Sequence, residues 1–235
     1  VASITNKVFR LCATDRPIDG SDGGLRRYDV LPELPNGLEY GAKASNDAGT
    51  ARVDRTGGEI AFTDTAGKNR LLQHTTEVPS SGSGFRIAFR LEPGEELYGL
   101  GDVTRDRLNK RGYATQIWVR NVESYVPNPI ILSSRGWGLF VETTWRHYID
   151  LDSEGTGELT IWCHGGTPAY LVTLGADLKE LLDAMTEVIG RPTLLPLSGY
   201  GLTFVCNQQA DARAMLDNCL AFRDREIPCD TIGLE

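Results

Sequence analysis

Two polar residues stand where chemistry is commonly done. Glu235 follows the apolar run Thr231-Ile232-Gly233-Leu234, which reads as a buried strand with an acid at its C-terminal tip. Asn207 follows a second strand-like run, Tyr200 to Cys206. Between them, Ala210 to Arg225 has helical character. Strand, helix and strand make one β-α-β unit, which normally belongs to a larger parallel sheet or barrel. In barrels the ligand meets the C-terminal ends of the strands and the loops that follow. A carboxylate and a neutral amide placed there suit a ligand rich in hydroxyls, which both donate and accept hydrogen bonds. Metal and thiol chemistry find no comparable support. The five cysteines include no C-x-x-C pair, and Cys12, Cys163, Cys206 and Cys229 sit in strand-like runs, so buried free thiols are expected. His74, His147 and His164 lie far apart without partners at metal-ligand spacing and read as structural. No metal and no cofactor is expected.

Such strand tips need a body behind them. Residues 1 to about 175 read as many short strands. Phe85, Ile87, Phe89 and Leu91 alternate with Arg86, Ala88 and Arg90, and Leu159, Ile161 and Cys163 alternate with Thr160, Trp162 and His164. Period two means one buried face per strand. Turn clusters at Asp22-Gly23-Gly24, Thr56-Gly57-Gly58, Ala66-Gly67-Lys68-Asn69, Ser80 to Gly84 and Glu154 to Gly157 separate the runs. The pattern predicts a mainly β chain whose residues 1–175 fold as an antiparallel β-sandwich. Residues 176–195 then form a connecting helix and linker, and 196–235 the β-α-β unit. In the connecting helix Leu178, Leu181, Leu182, Met185 and Ile189 lie on one stripe, with Asp177 as N-cap, Glu180 three residues on, and Gly190 and Pro192 as the stop. In the second helix Met215, Leu216, Cys219 and Leu220 are expected to face the sheet.

Composition narrows the partners. The 235 residues are 40% hydrophobic and 24% charged, ordinary for a globular chain of one domain or one and a half. A net charge of -8 argues against nucleic acid, which wants a basic face. It leaves a neutral ligand open. No apolar run reaches the roughly 18 residues of a membrane helix. The start, Val1-Ala2-Ser3-Ile4, shows no basic-then-apolar leader pattern, and compartment stays open.

One stretch is denser than the rest. It runs Glu96-Leu97-Tyr98-Gly99-Leu100-Gly101-Asp102, then Lys110-Arg111-Gly112, then Gln116-Ile117-Trp118-Val119-Arg120-Asn121. Tyr125-Val126-Pro127-Asn128-Pro129 leads into Ile130-Ile131-Leu132-Ser133-Ser134-Arg135-Gly136-Trp137-Gly138-Leu139-Phe140. This order resembles the N-terminal, galactose-mutarotase-like β-sandwich of glycoside hydrolase family 31. There a Y-x-G-L-G-E segment precedes an R-G, a tryptophan-bearing strand, a polar loop and an apolar strand ending in S-x-x-G-Y-G. Ile189-Gly190-Arg191-Pro192 resembles the family's G-R-P lead into its (β/α)8 barrel, and the terminal β-α-β looks like the first two barrel strands. The resemblance covers about 85–235, and 1–84 fit by position and strand content.

The resemblance implies part of a retaining α-glycoside hydrolase that cleaves terminal α-linked sugars. Its partners would be a carbohydrate substrate and the rest of the barrel. It implies substrate-binding positions at Glu235, Asn121 and Asn207, with Trp118 or Tyr125 able to stack on a sugar face. Retention needs two carboxyls about 5–5.5 Å apart. In the family both are aspartates on later strands, so no catalytic residue is expected in this chain. Departures bear on specificity. Asn121 and Glu235 stand where related α-glucosidases carry Asp, which opens a galacto- or N-acetylgalactosamine-type substrate. Asp102 stands for a Glu, and Asp102 and Arg111 read as pairing or capping groups; Trp118 also reads as a core aromatic. The alternative to an enzyme part is a non-catalytic, lectin-like carbohydrate-binding sandwich, which would have no use for a β-α-β unit.

Overall fold

A computed structural model describes residues 1–13, 38–79, 84–103, 106–120, 125–206 and 211–234. The chain divides into two compact units, Val1–Gly190 and Arg191–Glu235. The turn clusters expected at Asp22-Gly23-Gly24 and over most of Ser80 to Gly84 lie outside the described residues.

The first unit is built on two antiparallel sheets. One has six strands in the order β1 (Ala2–Ser3), β2 (Val8–Cys12), β14 (Ala169–Leu174), β11 (Trp137–Val141), β10 (Pro127–Ser133) and β8 (Leu97–Gly101). The other has eight: β3 (Lys43–Asn46), β4 (Gly49–Val53), β5 (Ile60–Asp64), β6 (Asn69–Glu77), β7 (Phe85–Arg90), β13 (Glu158–Cys163), β12 (His147–Leu151) and β9 (Tyr113–Ile117). The alternation in β7 and β13 sets this layering. Phe85, Ile87, Phe89, Leu159, Ile161 and Cys163 are all buried, while Arg86 and Arg90 are exposed. They meet Phe9, Leu139 and Tyr170 of the six-stranded sheet in one continuous core. Burying such side chains is worth roughly 1.5–3 kcal/mol each.

The six-stranded sheet does not alternate. Every residue of β11 and β14 is buried, because its second face is covered too. There α1 (Leu178–Ile189) packs Ala184 and Met185 against Ile4, Val8, Phe140 and Leu171. Asp177 caps the helix, its Oδ1 accepting from the N–H groups of Lys179 and Glu180 at 2.9 Å. The packed stripe differs by one position from expectation. Leu182 is 47% exposed, and Ala184 is buried in its stead. Leu181, Ala184, Met185 and Val188 make the i, i+3, i+4, i+7 seam.

Burial is not wholly apolar. Arg10 and Glu142 form a fully buried ion pair, Nε to Oε2 at 2.6 Å, and Arg10 also donates to the Tyr40 hydroxyl. Tyr170 donates its hydroxyl to Gln73 Oε1 across the two sheets, and burial raises its pKa well above the ordinary value.

In the second unit β15 (Thr203–Cys206) and β16 (Thr231–Leu234) pair in parallel, Thr203 with Thr231 through Cys206 with Leu234. They are joined through α2 (Ala212–Asp224), N-capped by Asp211. Of the stripe expected on α2, Met215 and Cys219 are half-buried, but two members face solvent. Leu216 and Leu220 are 53% and 56% exposed, whereas Phe222 meets Phe204 at 5.2 Å. The expectation for the thiols is corrected as well. Among the cysteines whose burial is described, Cys163 alone is buried; Cys12, Cys219 and Cys229 are half-buried, and Cys229 precedes β16. No helix is long and apolar enough to cross a membrane among the described residues.

Candidate functional site

Asn121, Asn207 and Glu235 lie outside the described residues. What surrounds them in the chain is described. Asn207 follows the last residue of β15 and Glu235 the last of β16, and those last residues, Cys206 and Leu234, are register partners. Asn121 follows Arg120 at the start of the segment joining β9 to β10.

Trp118 is not a core aromatic. It is 48% exposed, just past Ile117, which supplies the buried end of β9. Val119, Tyr125 and Val126 are also exposed, at 62%, 53% and 66%. Four large apolar side chains are thus exposed on the described residues flanking 121–124. With its amide carbonyl turned toward Arg120, Gln116 accepts from Arg120 Nη1 at 3.0 Å, which ties the rising limb of the loop to β9.

The dense motif anchors this loop. Gly99, Leu100 and Gly101 take φ of 118°, 67° and 70° in succession. Leu100 holds a left-handed conformation that costs a side-chain-bearing residue about 1–2 kcal/mol, and it remains fully buried. The flanking glycines are required by close approach as well. A Cβ on Gly101 would lie 2.0 Å from the Val126 carbonyl oxygen, and one on Gly99 2.2 Å from that of Ile130. The twist turns Asp102 onto the descending limb. Its two oxygens accept from the N–H groups of Tyr125 and Val126, each at 2.9 Å, while its own N–H donates to Val126 O at 3.2 Å.

Arg111 is a second clamp. Its Nε and Nη2 reach Asp152 Oδ2 at 3.0 and 2.9 Å, and Nη1 donates to the carbonyls of Glu92 and Glu95. Burial alone would raise the Asp152 pKa; the Gly157 N–H and the Arg111 guanidinium outweigh it and hold the carboxyl below its ordinary value. Glu95 is a hub missed in the sequence. It is 2% exposed, and accepts from Trp137 Nε1 at 2.6 Å, from the Ser133 hydroxyl, and from Glu92 N–H at 2.7 Å. The signal was present in principle: an acid two residues before Leu97, near the turn between Ser133 of β10 and Trp137 of β11. Asp102 and Arg111 are therefore scaffold: Asp102 fixes the start of β10, and Arg111 ties Asp152 to the turn before β8.

The family described as the glycosyl hydrolase 31 N-terminal galactose mutarotase-like domain matches residues 39–150. An alpha-xylosidase of Emericella nidulans is 32% identical over 156 residues, 62% of this chain and 20% of the relative. An alpha-xylosidase of Saccharolobus solfataricus is 25% identical over 208 residues, 81% of this chain and 27% of the relative. The chain thus spans about a fifth to a quarter of the length of these curated relatives. Among solved structures, the Flavobacterium johnsoniae GH31 dextranase complexed with glucose superposes with a TM-score of 0.79 at 20% identity, over 97% of this chain and 30% of that one. With the ordered motifs folded into two facing sheets and matched by these relatives, the findings support a member of glycoside hydrolase family 31, whose N-terminal domain residues 39–150 resemble.

Proposed function

We propose that this chain supplies the N-terminal sandwich and the first β-α-β of a (β/α)8 barrel in a retaining α-glycosidase that cleaves terminal α-linked sugars. The reading rests on one observation above others: a parallel strand pair, bridged by a helix, follows the family's sandwich in the same chain. Glu235 and Asn207, directly after the paired ends of those strands, grip hydroxyls of the terminal sugar. Asn121 and Trp118 on the clamped loop add a hydrogen bond and a stacking face. The two carboxylates that act as nucleophile and acid/base come from later strands, by the family resemblance. The names of the two curated relatives make α-xylosides the first substrates to assay, with α-glucosides and α-galactosides beside them.

Removing a charged hydrogen bond to a sugar hydroxyl costs about 1.5–3 kcal/mol. In the complete polypeptide, Glu235→Ala should therefore lower kcat/KM by about ten- to over a hundredfold with the fold retained. Asn121→Ala should cost less, as a neutral bond. The 235-residue chain alone should not turn over aryl α-glycosides. Full activity of Glu235→Ala on every α-glycoside the complete enzyme accepts removes the site assignment. Turnover by the 235-residue chain above a blank removes the placement of the catalytic pair.

A further inference from the structure

The outer face of the eight-stranded sheet carries a row of side chains that the core does not need. Strand pairing sets Glu77 opposite Arg86, Arg86 opposite Trp162, Trp162 opposite Tyr148, and Tyr148 opposite Gln116. Directly opposed residues share a face. The row therefore crosses β6, β7, β13, β12 and β9 on the side away from the buried Ile87, Ile161 and Ile149. The rings of Tyr148 and Trp162 stack at 5.1 Å with their planes 8° apart. Tyr148 is itself fixed: His164 meets it edge-on at 6.1 Å, and the Arg146 guanidinium carbon lies 5.9 Å from its centroid. One face of Trp162 is thus backed by a pinned ring. Trp162 also lines an open cleft of about 540 Å³ together with Glu77, Arg86, Asp150, Thr160 and His164.

We propose that this cleft is a carbohydrate-binding site of the sandwich, made wholly of first-unit residues, that takes a neutral oligosaccharide against Trp162. An immobilised indole suits the flat C–H face of a pyranose, which loses little freedom on stacking there. Around it stand planar groups of both kinds, guanidinium donors and carboxylate acceptors, which is what hydroxyls require. The charges are mixed. Glu77 and Asp150 line the cleft with Arg86, and Arg146 stands beside it over the Tyr148 ring, so the mixed charges offer an anion no favourable field. Its volume falls in the roughly 300–1,000 Å³ range of small-ligand sites, and its polar rim excludes a purely apolar ligand. This site is independent of Glu235, Asn121, Asn207 and Trp118.

The test uses the 235-residue chain, with isomaltotriose and cellotriose as the α- and β-linked probes, in calorimetry and saturation-transfer NMR. Saturable binding of at least one probe is expected. Trp162→Ala should weaken it at least about tenfold, the usual loss when an aromatic anchor is removed. Arg86→Ala provides the second variant. Arg86 is exposed and its pair with Glu77 is 3.8 Å long, so the fold survives its loss; binding should weaken several-fold. Binding should persist in Glu235→Ala. No binding of either probe, or equal affinity in wild type, Trp162→Ala and Arg86→Ala, overturns the proposal. So does binding that disappears with Glu235→Ala, or protection of Trp162 from hydroxyl-radical oxidation in the complete enzyme without saccharide, which would mean that another segment covers the cleft.

Discussion

Asp102 holds two successive main-chain N–H groups with one short carboxylate, and its length is matched to that task. Asp102→Ala frees both groups to solvent rather than burying them, so the global cost should be only about 1 kcal/mol. The local effect should be larger. Amide exchange at Tyr125 and Val126 should accelerate several-fold while core amides keep their rates; unchanged exchange at these two amides would refute the clamp. His147 gives a pH signature. It is 1% exposed, its Nδ1 faces the Trp145 carbonyl at 2.9 Å, and burial lowers its pKa. The unfolded chain takes up that proton near the ordinary value of about 6.5, and the folded chain resists it. Protons therefore favour the unfolded state, and stability should fall as pH drops below about 6.5. His147→Asn keeps a donor for the carbonyl and removes the titration. Its melting temperature should vary less between pH 7 and 5 than that of the wild type. The depressed carboxyls of Asp64, Asp152 and Glu180 act in a lower window, losing their contribution only as pH falls through the acid range.

At the scale of elements, the two sheets are joined by more than apolar contact. Tyr170 crosses from β14 to Gln73 on β6, edge-on to Phe89 at 5.6 Å. Tyr170→Phe keeps the ring but strands a buried amide oxygen, which costs about 1–3 kcal/mol. A urea midpoint indistinguishable from wild type would show that the bond contributes nothing. The core-facing residues of Phe85 to Arg90 and Glu158 to Cys163 were legible from their alternation, whereas Ala88 and Thr160, expected on the exposed face, are buried as well. The β11 and β14 strands hid their layer. With the second sheet on one side and α1 on the other, they read as plain apolar runs from which no facing can be deduced. The α1 seam was misjudged by one residue since Ala184 carries little hydrophobic signal, whereas Leu182 carries much and faces water. Arg10, Glu142 and Glu95 were invisible for a similar reason: a charge in or beside a short strand looks exposed until its partner arrives from far along the chain. Near the candidate site, the ends of β15 and β16 and the segment between β9 and β10 were legible from order and motif. That the motif serves as an anchor, with three successive left-handed residues, was not, since backbone conformation leaves no mark on Leu100 as a residue type.

For the molecule as a whole, the two units differ in how much they hide. The first has a continuous core; none of the second's described residues is buried, and Leu216, Leu220 and Val205 are 53%, 56% and 45% exposed. Its parallel pair also presents open edges among the described residues. Hydrogen exchange on the 235-residue chain should find β15, α2 and β16 far less protected than β7, β13 and β14. Equal protection in a monomer would contradict that. One feature of the sandwich bears on how any such difference is watched. All four tryptophans lie in the first unit, and they occupy unlike surroundings: Trp137 is sealed and bonded to Glu95, Trp162 is stacked on Tyr148, and Trp118 and Trp145 are 48% and 56% exposed. Indole emission shifts mainly when a ring passes from a dry site to water. The optical signal of unfolding therefore comes chiefly from Trp137, and it reports the opening of the sandwich alone. The second unit carries no indole, so it can melt and refold in spectroscopic darkness.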